Sequence, residues 1–260
     1  MSKKQSTEVV LKETPQAVVA QSIKQISFEE FGMDAALGSD IKIPLALLMQ
    51  KMSVMVDEEK AKSGEIRGSL ECNLLGGTDK PFFFVPLVIQ NVWVEKIPST
   101  KKFVGVYPRT RANEKQDLTY INAEGFEVVR TKQIDCFCME LGELSSGEAL
   151  PYKLSFKVTS YDAGKTLITI ATKLMMFGKP LYTYVFKVST IKKENDKGTF
   201  YVFDLSQDKT PEGKTVYSVP ASHPLCQYWA QQVGTGKVVA HDESDLDTSF
   251  DVKTFSEEKF

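Results

Sequence analysis

Residues 82–94 read Phe-Phe-Phe-Val-Pro-Leu-Val-Ile-Gln-Asn-Val-Trp-Val. Aromatic and β-branched side chains dominate this run, and such side chains fit a pleated, half-buried surface. The run commits the middle of the chain to β structure. Pro86 cannot donate to a ladder, so it places the strand at a sheet edge or at a bulge. Shorter strand-like stretches follow at 102–109, 125–141 and 152–159. In the last, Tyr152, Leu154, Phe156 and Val158 alternate with Lys153, Ser155 and Lys157. That alternation predicts one buried face and one solvated, basic face.

The period changes over 162–177. Leu167, Ile170, Ala171, Leu174 and Met175 fall at helical spacing, with Asp162 as N-cap and Gly178 and Pro180 as the stop. Two more strands are expected at 181–190 and 199–205, joined by a polar loop over 191–198. Tyr182, Tyr184, Phe186 and Val188 share a face of the first. Tyr201, Phe203 and Leu205 share a face of the second. Residues 223–233 read as a short helix with Ser222 as cap, Pro224 in the first turn and Gly234 at the end. Upstream, 15–31 fits a short helix. Residues 41–52 fit either a strand or a buried helix, and 57–68 fits a charged loop.

The order is several strands, one helix, then two strands. The fold class is mainly β, compatible with an OB-like five-stranded barrel whose helix falls between the third and fourth strands. Three regions are expected: a flexible N-terminal segment (1–40), the OB-like body (41–240) and a disordered acidic tail (241–260).

A formal net charge of −2 conceals an asymmetry. The last twenty residues carry seven acids and two lysines, a charge of −5. The body holds 30 basic and 27 acidic side chains, a charge of +3. No stretch approaches the roughly 20 apolar residues of a membrane-spanning helix, and no secretory leader is visible. Cys136-Phe-Cys138 is too tight for the usual zinc spacing, and both thiols read as core residues in a reducing compartment. With two histidines, His223 and His241, and no nucleophile, phosphate-loop or metalloprotease motif, catalysis is not expected. No cofactor or metal is implied.

A sequence-tolerant single-strand binder needs cations for phosphates and flat rings for bases. Trp93 faces away from Val92 and Val94, together with Glu95. Lys101, Lys102, Phe103, Tyr107, Arg109 and Arg111 interleave cations with aromatics just downstream, with Gly105 between the two rings. Lys153, Lys157, Lys187, Lys192 and Lys193 add charge on later strands and the last hairpin. The same rings also fit a core, and the same lysines fit an ordinary solvated face. In the tail, Asp242, Glu243, Asp245, Asp247, Asp251, Glu257 and Glu258 surround Phe250, Phe255 and a terminal Phe260. Carboxylates that steer and an aromatic that fills a pocket make a docking peptide. A solvated tail packing on the body is the alternative.

The tail (Asp242-Glu-Ser-Asp-Leu-Asp247, then Ser256-Glu-Glu-Lys-Phe260) resembles that of bacterial and tailed-phage single-stranded DNA-binding proteins. The tract from Leu154 to Lys165, Gly178-Lys-Pro-Leu-Tyr182 and Asn195-Asp-Lys-Gly-Thr-Phe-Tyr201 resembles the C-terminal half of phage-encoded members. Ile43-Pro-Leu45 and Lys60-Ala-Lys-Ser-Gly-Glu-Ile66 are similar to phage members too. Lys259 departs from the bacterial tails, which carry Pro or an acid beside the last Phe. The resemblance implies an OB fold that coats single-stranded DNA in the cytoplasm of a bacterial host. It also implies recruitment of replication or recombination proteins through the tail, and homo-oligomers are common in the class. The competing expectation is a phage structural or assembly protein making protein contacts only. An enzyme using scattered carboxylates is a distant third.

Overall fold

The structure is a computed structural model. It describes residues 42–100, 102–146, 149–176, 178–196, 198–207 and 219–235, and the backbone of 239–240. The expected helix at 15–31 and the tail lie outside these residues. The described residues belong to one compact unit, Gly38–Phe260.

In chain order the elements are β1 (Lys42–Ile43), β2 (Leu45–Leu48), α1 (Val54–Asp57), β3 (Ile66–Gly68), β4 (Leu74–Gly76), β5 (Phe82–Ile97), β6 (Lys102–Pro108) and β7 (Thr119–Ile121). Then come β8 (Glu127–Glu140), α2 (Leu141–Ser146), β9 (Pro151–Lys157), α3 (Tyr161–Met175), β10 (Phe186–Asn195), β11 (Gly198–Gln207), α4 (Pro224–Gly234) and β12 (Val239–Ala240). The open question at 41–52 resolves as strands. The protein is mainly β, and its sheet curls into a half-barrel. That sheet has ten strands, twice the five expected, in the order β11-β10-β5-β8-β9-β2-β3-β4, with β6 on β5 and β7 on β8.

The aromatic run of 82–94 became the backbone of this sheet. β5 pairs antiparallel with β8 from Phe84 to Lys96, and the register shifts between Pro86 and Val88. On its other edge β5 meets β10 at 82–84 and β6 at 92–97. Pro86 sits at a bulge, in the gap between those two partners, where a missing N–H costs no ladder bond.

One apolar core fills the curl. It unites Phe82, Phe84, Ile134, Cys136, Cys138, Tyr152, Leu154, Phe156, Leu167, Phe186, Val188, Phe203 and Leu205. Phe84 stacks between Phe82 (5.6 Å) and Phe186 (5.9 Å). Cys136 and Cys138 are buried free thiols as expected, and burial pushes the Cys136 thiol well up. α3 closes this core through Leu167 and Leu174. Gly164 permits the approach, because a Cβ there would stand 2.8 Å from the Phe156 Cβ and 2.9 Å from the Ile134 Cδ1. Gly178, at φ +69°, donates to the Met175 carbonyl and ends the helical segment. A second cluster (Ile43, Val85, Phe137, Met139, Val185) packs with Cys226, Trp229 and Val233 of α4.

The open side of the half-barrel is spanned by side chains. The Gln50 amide donates to the Tyr201 carbonyl (2.8 Å) and accepts from the Tyr201 N–H (2.9 Å), as a ladder neighbour would. The Thr190 hydroxyl donates to the Gly64 carbonyl at 2.6 Å.

Several expectations are corrected. Asp162 lies in the first turn of α3, and Ser160 holds the N-cap position without a side-chain cap bond. His223, not Ser222, precedes α4, and Thr235 follows Gly234 as C-cap. Residues 181–183 form a 3-10 turn, so Tyr182 joins the second cluster while Phe186 and Val188 join the first. The expected loop at 191–198 is mostly strand, because β10 and β11 stay paired out to Asn195 and Gly198.

Candidate nucleic-acid interface

The far halves of β5 and β8 carry a different face from their apolar halves. Trp93 pairs with Lys132 and Glu95 with Arg130 across the ladder, while β6 sets Tyr107 opposite Trp93. Trp93 and Glu95 do share a face, as period 2 predicts.

Trp93 is fully buried, which corrects its expected role as an exposed stacking platform. The turn after β6 closes over it. The Asn113 carbonyl oxygen accepts the indole N–H (3.3 Å) and the Thr110 N–H (2.7 Å), and its amide donates to the Pro108 carbonyl (2.9 Å). The Arg109 guanidinium lies 6.0 Å and the Lys132 ammonium 5.5 Å from the indole centroid. Arg109 also donates to the Tyr161 hydroxyl and stands 5.7 Å from that ring. Glu114 spans both cations, at 3.1 Å from Arg109 Nε and 3.1 Å from Lys132 Nζ.

Deeper in, Glu95 accepts three hydrogen bonds, from Arg130 Nε (2.7 Å), the Tyr107 hydroxyl (3.0 Å) and the Tyr120 hydroxyl (3.0 Å). Burial pushes its carboxyl up, but the bonds from Arg130, Tyr120 and Tyr107 and the Arg130 charge outweigh this and hold it below the ordinary carboxylate range. The Arg130 guanidinium lies 4.1 Å from the Tyr120 ring.

Above these groups opens a shallow cleft of about 250 Å³, lined by Leu118, Arg130, Thr131, Lys132, Val158 and Tyr161. Small-molecule pockets run to roughly 300–1,000 Å³. The cleft falls below that range. At its α3 side, Lys165 bonds Asp162 at 2.7 Å and lies 5.3 Å from the Tyr161 ring. The Asp162 carboxyl is held below its usual range by the Lys165 hydrogen bond, then by its charge, with a contribution from Lys193.

The other expected contacts divide. Lys102, Arg111, Lys157, Lys192 and Lys193 are exposed. Phe103, Tyr107 and Lys187 are half-buried, and Tyr107 is also bonded by the Gln116 amide at 2.7 Å. Lys101 lies outside the described residues, as do Asp242, Glu243, Asp245, Asp247, Asp251, Phe255, Glu257, Glu258 and Phe260. Lys153 corrects the expected basic face: it is buried, 3.9 Å from Asp135. That carboxylate also accepts from Ser155 (2.7 Å) and Gln133 (2.7 Å). Polar groups on β8 answer those on β9, so this face is satisfied internally. Val158, expected on the buried face of a strand, is exposed where β9 has given way to a 3-10 turn.

Arg130, Lys132, Tyr161, Leu118 and Glu114 escaped the sequence reading, and Val158 was assigned to a buried face instead. Arg130 and Lys132 were within reach of it, as alternate residues on a strand otherwise rich in apolar side chains. Among the described residues, no group of three or more His, Cys, Asp or Glu is placed to hold a metal ion. No helix among them is long and apolar enough to cross a membrane.

Among the described residues, the mainly β body thus carries a shallow cleft with Arg130, Lys132 and the Tyr161 ring in its wall. The Pam3 phage gp34-like protein family matches residues 12–223. The chain belongs to that family of phage proteins. No curated protein matches it, and no solved structure does.

Proposed function

We propose that this protein binds single-stranded DNA without sequence specificity, and performs no catalysis, in the cytoplasm of a bacterial host. The observation that carries the reading is an open cleft where Arg130 and Lys132 meet the Tyr161 ring, with Arg109 packed behind it between Tyr161 and the buried Trp93. Phosphates require the cations and unstacked bases require the apolar floor.

The order of ladders supports an OB-like reading of the body. β5 pairs with both β8 and β10, β8 pairs with β9, β10 pairs with β11, and α3 falls between β9 and β10. Taken as strands one to five, they give the order three-two-one-four-five with the helix after the third. In such barrels oligonucleotides meet the face of strands two and three and the loops after strands one and four. Here those loops are the segment carrying β6 and β7 and the β10–β11 turn. Because Gln133, Asp135 and Lys153 are buried, the contact is placed at the ends of those strands, at Arg130, Lys132, Lys157 and Val158. The tail, with Phe250, Phe255 and Phe260, completes the proposal as a docking peptide for replication or recombination proteins.

Fluorescence anisotropy of labelled oligo-dT at low and high salt, with duplex DNA as control, tests the reading. Saturable binding that prefers the single strand and weakens with salt is expected. Removing residues 241–260 should leave that binding intact or tighter, whereas a large loss would contradict a tail that serves partners. The second reading, a phage structural or assembly protein, is favoured by exposed Val104 and Val106 on β6 and Ile121 on β7. Absence of nucleic-acid binding, together with self-association lost in Val106→Ser, would select it.

A further inference from the structure

Val158 is a β-branched residue at φ +45°. Left-handed backbone crowds Cβ against the following carbonyl, and glycine adopts it without that conflict. Burial does not compensate, since the Val158 side chain is 59% exposed. The strained position instead points an apolar side chain at the cleft. Leu118, 55% exposed and just ahead of β7, supplies a second apolar wall, and the Tyr161 ring a third. Backbone strain held at an exposed, cleft-lining residue is a feature of ligand contacts.

The charge pattern above this wall has its own logic. Arg109 and Lys132 both lie over the Trp93 ring and share one carboxylate, Glu114. Glu114 is 44% exposed on the turn between β6 and β7, and Lys132 is 41% exposed. A carboxylate bridging two cations presents oxygens where a phosphate would present its own.

We propose that this cleft is a one-nucleotide subsite. An unstacked base lies against Val158, Leu118 and Tyr161, and its phosphate replaces Glu114 on Lys132 and Arg109. The proposal rests on the single-strand reading above and adds the position at which one nucleotide is held. It gives two substitutions opposite signs. Val158→Gly relieves the backbone while removing a wall of the subsite, so the fold should melt no lower while the Kd for oligo-dT rises roughly fivefold or more. Glu114→Gln removes the internal competitor. Its Kd should fall several-fold at low salt, and the salt slope should steepen by about 0.7, the single-strand value per phosphate neutralised.

The test is an anisotropy titration of labelled oligo-dT with the full chain, Val158→Gly, Leu118→Ala and Glu114→Gln, with a thermal melt of each. Leu118→Ala leaves every strand's backbone untouched and should weaken binding as Val158→Gly does. A Val158→Gly protein that is folded and binds like wild type would overturn the subsite, as would a Glu114→Gln protein that binds no tighter. If wild type binds single strands and no variant moves the Kd, the subsite alone falls. If wild type binds none, the functional reading falls with it.

Discussion

The two halves of the β5–β8 pair share one ladder and differ in everything their side chains do. In the first half, Phe84, Cys136 and Cys138 meet in an apolar core where rings stack, with Ile89 packed against it. In the second, Trp93, Glu95, Arg130 and Lys132 face the same way and are held by hydrogen bonds, ion pairs and cations over rings. Dispersion contacts of the first kind have no partner to exchange with a ligand. Ion pairs of the second kind do, because Glu114 can be replaced on Lys132 by another anion. The continuous backbone thus carries an apolar core at one end and, in the proposed function, the recognition groups at the other.

Phe84→Ala attacks the first half and should have the largest effect. It empties a fully buried site between two stacked rings and should cost about 3–5 kcal/mol in denaturant unfolding. At temperatures where the variant is still folded, its affinity for oligo-dT should match wild type; a selective loss of binding would dissolve the distinction between the halves.

Glu95→Gln attacks the second half. It weakens a carboxylate bonded by three donors and leaves Arg130 without its counter-charge, a cost on the order of 1–3 kcal/mol at neutral pH. The folded-state pKa of Glu95 is lowered, so its stabilisation is complete above the unfolded carboxylate pKa, about 4.3, and is lost as pH falls through the folded value. Thermal melts from pH 7 to pH 3 should show wild type and variant converging on acidification. Parallel curves would mean that Glu95 contributes no pH-linked stability.

Gly164→Ala sharpens the boundary between fold and site with a smaller effect. Alanine favours a helix by about 1 kcal/mol over glycine, but its Cβ would press on Phe156 and Ile134. Overpacking of roughly 1–3 kcal/mol exceeds that gain. A net loss of about 1 kcal/mol, with unchanged DNA affinity, is expected from melts and titrations; a gain would show that α3 has room to move.

Much of the first half was legible in sequence because its signals are local. The 82–94 run and the helical spacing closed by Gly178 each lie within one element, whereas the alternation expected over 152–159 held only for Tyr152, Leu154 and Phe156 on the buried face. Pro86 was legible to the level of edge or bulge, and the gap between β10 and β6 explains why both descriptions apply. The second half was less legible because its chemistry is long-range. Trp93 is buried by a turn twenty residues later, and Lys153 is withdrawn from solvent by Asp135 on the neighbouring strand. The cleft joins Leu118, Lys132 and Val158, which no local pattern relates. Lys192 and Lys193 were placed in a loop because polar, charged residues resemble one, whereas continued cross-strand pairing holds them in β10.

Trp93, covered by two of the cations proposed to receive phosphate, provides the most direct test. The chain has two tryptophans, so Trp229→Phe leaves Trp93 as the only indole emitter. Titrating that variant with oligo-dT should produce a saturable change in Trp93 emission at low salt that shrinks at high salt, in step with anisotropy of the labelled strand. Binding seen by anisotropy with no change in Trp93 emission would place the DNA elsewhere on the protein and contradict the account.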